Sequence, residues 1–131
     1  MIFFNLFVEK FLNNITPFIS FIILFIFDLI LGISKGIKFK NFSSGKLRAS
    51  VPKFGAYVFI ILSCIIFDII LKCGTDIAYL QSHAPIANTV TISVCLIEFI
   101  SIIENAKKLG VDIPDFLIKI IAELKSKLFN K

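Results

Sequence analysis

Three long apolar runs, Ile15–Ser34, Phe54–Lys72 and Pro85–Glu104, dominate the chain, and they carry the acids Asp28, Asp68 and Glu98 within them. Folded as helices rising about 1.5 Å per residue, such runs cross a hydrocarbon core of about 30 Å. A carboxylate facing lipid costs roughly 2.5–3.5 kcal/mol. The pattern therefore demands that the acids face protein, sister copies of the chain included, or a wet lumen. In the third run Asn88, Thr91, Cys95, Glu98, Ile102 and Asn105 recur at steps of three and four. That spacing lays one polar stripe along an apolar helix. Lipid cannot satisfy such a stripe, so it serves as glue between helices or as the lining of a pore. In the second run Cys64, Asp68 and Lys72 share a stripe, and Asp68 is within reach of Lys72 at i+4. In the first, Asp28, Gly32 and Gly36 follow at steps of four, and small residues at that spacing suit either a close helix approach or an ordinary helix end with flexible glycines.

The flanks have a different period. Residues 1–14 are too short to span, and Asn5, Glu9 and Asn13 fall opposite much of Phe4, Phe7 and Phe11, which predicts an interfacial helix. In the tail, residues 105–131, Gly110 reads as a helix stop and Pro114 as a restart. Phe116, Leu117, Ile120, Ile121, Leu124 and Leu128 then form an apolar face, with Asp115–Lys119 and Glu123–Lys127 as i,i+4 pairs on the other side. This helix is expected on the inner leaflet or beneath its neighbours. The expected fold is all-α: three transmembrane helices at 15–34, 54–72 and 85–104, a basic loop at 35–53, a short outer loop at 73–84, and amphipathic helices at both ends.

Composition supports that class. A mean hydropathy of +0.93 and 57% apolar residues exceed the roughly 45–50% apolar content of a soluble domain. Charge sets the expected orientation. Lys35, Lys38, Lys40, Lys46, Arg48 and Lys53 lie between the first two runs without an acid, and six more lysines follow the third. Basic residues are retained on the cytoplasmic side, so the N-terminus is expected outside and the C-terminus inside, with the loop lysines and arginine against the inner leaflet. This placement accounts for the net charge of +5 without a nucleic-acid partner. Met1–Val8 holds no basic residue and no small-residue cleavage site follows the first run, so that run is expected to be retained.

The residues give no reason to expect catalysis. Cys64, Cys73 and Cys95 are widely spaced, His83 is the single histidine, and neither a Walker loop nor a nucleophile elbow is present. An enzyme, a metal site and a cofactor are not expected. The remaining readings are a pore, a small proton- or cation-coupled transporter, and a structural or regulatory membrane subunit.

Two segments sharpen the choice. Phe27-Asp28-Leu29-Ile30-Leu31-Gly32-Ile33-Ser34-Lys35-Gly36, followed by a basic stretch with Ser43-Ser44, resembles the start of the toxin-secretion/phage-lysis holin family. The segment Ser101-Ile102-Ile103-Glu104-Asn105, continuing through Leu109-Gly110 to Ile113-Pro114, resembles that family's C-terminal signature more closely. Before the second run Leu47-Arg48-Ala49-Ser50 departs from the family's usual glycine followed by Arg-Lys, though the charge is kept. The resemblance implies a homo-oligomer in the bacterial cytoplasmic membrane that opens holes. Endolysin or a large protein toxin would be the passing cargo, and an antiholin a possible partner. The matched positions are Asp28, Gly32, Lys35, Ser101, Glu104, Asn105, Gly110 and Pro114.

Overall fold

The computed structural model describes residues 1–41, 43–74 and 86–129, leaving aside the side chains of Lys46, Cys73 and Gly74. Those residues form five helices and no strand: α1 Ile2–Asn13, α2 Ile15–Lys38, α3 Ser44–Gly74, α4 Ile86–Lys108 and α5 Asp115–Phe129. Three are long and apolar enough to cross a membrane, over Ile15–Lys38, Leu47–Lys72 and Ile86–Lys108. Residues 75–84 of the expected outer loop, including His83, lie outside the described residues, as do Pro85 and Lys131.

The helices α2 and α4 run parallel and α3 runs antiparallel to both. Aromatic rings knit the core. Phe21 stacks on Phe54 with centroids 5.7 Å apart and meets the edge of Tyr57, while Phe25 lies 5.0 Å from Phe54. Ile61, Ile65 and Ile69 of α3 and Ala87 and Val94 of α4 complete it. The core extends to α1, whose Leu6, Phe7 and Phe11 pack against it. Glu9 on that helix comes within 4.0 Å of Lys72 at the far end of α3. The chain passes from α1 to α2 through buried Asn14. Pro17 costs little so close to the start of α2, because the first four N–H groups of a helix have no intrahelical acceptor.

The stretch 35–53, expected as a loop, is mostly helical. Lys35 and Lys38 belong to the last turns of α2, and α3 begins at Ser44. Its thirty-one residues correspond to about 46 Å of helix. Lysine, arginine and alanine are good helix formers, and their charge together with Pro52 disguised the segment as a connector. Helix α2 ends in a tight turn: Lys40 has φ 54°, Lys40 N–H donates to Ile37 O and Asn41 N–H donates to Gly36 O. Gly110 plays the same part after α4, with φ 91° and a bond from Val111 N–H to Ala106 O. A left-handed residue of this kind satisfies the last orphan carbonyls of a helix.

Candidate functional site

A row of polar side chains follows the contact between α2 and α4. Near the helix starts, Asn14 Nδ2 donates to Thr91 Oγ1 at 3.1 Å, and Thr91 Oγ1 donates to Ala87 O at 2.7 Å. One turn on, Cys95 Sγ lies 3.6 Å from Pro17 O. Deeper in the chain direction, Ser101 Oγ donates to Asp28 Oδ1 at 2.6 Å and Asn105 Nδ2 donates to the same oxygen at 3.0 Å. Lys35 Nζ then donates to Asn105 Oδ1 at 2.9 Å. Lys38 Nζ closes the far end by donating to Leu109 O at 2.7 Å, where a cation suits the negative end of a helix. Asn88, half-buried, joins none of these bonds.

Glu98 occupies the middle of the seam with 0% exposure. Its counter-charge comes from α3: Lys53 Nζ lies 2.9 Å from Glu98 Oε1. At that distance the contact is a close ion pair between an ammonium and a carboxylate. Lys53 also sits 6.0 Å from the Phe25 ring centroid and 5.7 Å from that of Tyr57, within range of cation–π attraction. Asp28 is in electrostatic contact with both members of the pair. Two acids, Asp28 and Glu98, and two lysines, Lys35 and Lys53, thus share one part of the bundle.

Several expectations change here. Lys53, placed against the inner leaflet by its position in the sequence, reaches instead into the bundle. Asp68 does not depend on Lys72 for a partner: its Oδ1 accepts the Ile86 N–H and its Oδ2 the Ala87 N–H, both at 2.9 Å. It thereby satisfies two of the orphan donors at the start of α4. Gly32 makes no close approach to another helix, and a Cβ built there meets nothing within 4 Å. It borders a cavity of about 220 Å³ with Asp28, Lys35, Gly36 and Asn105. Gly36 is buried. Within one protomer, Asp28, Asp68 and Glu98 each meet a polar or charged partner.

The tail is tied to the same helix. Glu104 forms an ion pair with Lys125 of α5, and Ile121 of α5 is buried. Glu123 and Lys127 pair at 2.9 Å. Lys127 holds the Glu123 carboxyl below its ordinary range, and Glu123 raises the Lys127 ammonium. Phe116 and Ile120 remain exposed.

The two segments singled out in the sequence therefore meet in space: Asp28 and Lys35 on α2 bind Ser101 and Asn105 on α4. Such a bundle, with apolar surface outside and polar contacts between helices, defines a multi-pass membrane protein. The bacteriophage holin family matches residues 6–126, and the chain belongs to it. It is 30% identical over 116 residues to an uncharacterized protein of Clostridium perfringens strain 13, covering 85% of this chain and 76% of that protein. It is also 30% identical over 112 residues to an uncharacterized 14.9 kDa Clostridium perfringens protein in the nagH 3′ region, covering 85% and 78%. No solved structure matches. The holin family is not an enzyme family, and its membership agrees with the three membrane-compatible helices in assigning the chain to the cytoplasmic membrane.

Proposed function

We propose that this protein is a holin: copies assemble in the bacterial cytoplasmic membrane and open non-selective holes that release endolysin or a large protein toxin. The observation that carries the reading is the row of polar contacts between α2 and α4, from Asn14–Thr91 to Lys35–Asn105. Closed, the seam satisfies its own polar groups and presents lipid with an apolar exterior. Opened in an assembly, the same groups become a lumen lining that water can solvate. Asp28 and Glu98 ionise readily once they face a wet lumen, and charge gained within the membrane field responds at about 2.3 kcal/mol per elementary charge per 100 mV, which couples such an opening to the membrane potential. The orientation is N-terminus outside and C-terminus inside, on the strength of the basic residues that flank α2 and α3 and follow α4.

Purified protein in liposomes loaded with a small-ion dye and a folded protein tests this directly. A holin releases both cargoes. Retention of the folded protein while ions leak contradicts the proposal and fits a transporter. Sealed vesicles contradict it too and fit an antiholin or a structural subunit.

A further inference from the structure

The closed seam leaves one partly polar cavity, beside Gly32, unused. Its volume of about 220 Å³ is far more than an isolated buried water needs. Its walls differ in character. Asp28, Lys35, Ser50 and Asn105 supply polar groups, whereas Leu29, Ile33 and Leu47 supply apolar surface. Lys35 spends one ammonium hydrogen on Asn105 Oδ1, and an ammonium carries three. Asp28, the one acid in the lining, already accepts two hydrogen bonds on Oδ1. Lys38, Lys40 and Arg48 stand exposed nearby in the chain, so the surroundings are net positive.

We propose that this cavity binds an anionic phospholipid, its phosphate on Lys35 and the start of its acyl chains along Leu29, Ile33 and Leu47. Charge complementarity selects an anion, and the apolar wall selects one attached to hydrocarbon rather than free phosphate. The position fits as well, because the cavity lies where the apolar run of α2 gives way to its basic end. Basic pockets between membrane helices on the cytoplasmic side have the chemistry to hold such headgroups. The absence of a Cβ at Gly32 keeps the space open. Binding of this lipid does not depend on pore formation, and it is read on the closed protein.

The test uses the full chain in neutral detergent, with bound lipid counted by native mass spectrometry as phosphatidylglycerol or phosphatidylcholine is added. Phosphatidylglycerol is expected to bind at least about tenfold more tightly. Gly32→Leu fills the cavity without meeting another atom at its Cβ, and is expected to abolish that preference while circular dichroism stays unchanged. Lys35→Gln weakens it and Lys35→Arg retains it, which keeps the test decisive should Gly32→Leu fail to fold. Equal binding of the two lipids overturns the proposal. So does an undiminished preference in folded Gly32→Leu, or displacement of the lipid by inorganic phosphate. A Gly32→Leu effect confined to particle size, with lipid binding intact, assigns the cavity to a second copy and overturns it likewise.

Discussion

Removing either member of the Lys53–Glu98 pair should have very different consequences. Lys53→Gln leaves a carboxylate at 0% exposure without its counter-charge, whereas Glu98→Gln releases a lysine whose side chain is already 42% exposed. Breaking a buried pair by deleting one partner costs about 3–5 kcal/mol. At 2.9 Å and an effective dielectric of 20, the bare attraction is about 6 kcal/mol. Solvent around the lysine screens part of this, so Lys53→Gln is expected near the lower bound, about 3 kcal/mol. The freed Lys53 of Glu98→Gln snorkels toward water or headgroups, and the loss is held to about 1 kcal/mol, the scale of an exposed pair. The double variant should recover to within about 1 kcal/mol of the parent, because no uncompensated charge remains. The assay is unfolding in mixed micelles of rising dodecyl sulfate content, followed by helical circular dichroism. Equal losses in the two single variants, or a double variant equal to their sum, would refute the reasoning.

Three further outcomes follow from other parts of the bundle. Asp68→Ala strands the Ile86 and Ala87 N–H groups and should cost about 2 kcal/mol in the same micelle titration, with Asp68→Asn recovering part of it. Gly110→Ala forces a side chain into φ 91° and should cost about 1–2 kcal/mol; its Cβ meets only Lys38 Nζ at 3.6 Å, so backbone strain supplies the loss. The Glu123–Lys127 contribution has a definite sign. Because the Glu123 carboxyl is depressed, its stabilisation is complete above the ordinary carboxylate range and disappears as pH falls through the depressed value. Carbon-13 titration of Glu123 should lose that depression in Lys127→Gln.

The spans and the polar stripe were legible because each is periodic within one helix. Asp28 stood out for the same reason, being a single acid deep in an apolar run. Partner choice was not legible. Asp28 meets Ser101 and Asn105 more than seventy positions away, and a period within one segment carries no information about which face of another it meets. Asp68 shows the limit well: its i+4 neighbour Lys72 was the nearest partner along the chain, while the start of α4 was the nearer one in space. Lys53 follows Pro52 in a basic stretch, a setting that reads as a loop even though Pro52 lies inside α3. Gly32 illustrates the converse, since spacing alone does not distinguish a glycine that admits a helix from one that leaves a cavity.

The account rests on a seam that is shut in the closed protein and wet in the open one. Thr91→Cys, with the native cysteines replaced, places a thiol at a position with 0% exposure on that seam. Labelling by a membrane-impermeant maleimide, followed in liposomes alongside release of a folded protein cargo, reads both states at once. The account predicts no labelling while cargo is retained and labelling that rises with its release. A thiol that reacts in sealed vesicles, or one that stays protected after the protein cargo has escaped, would contradict it.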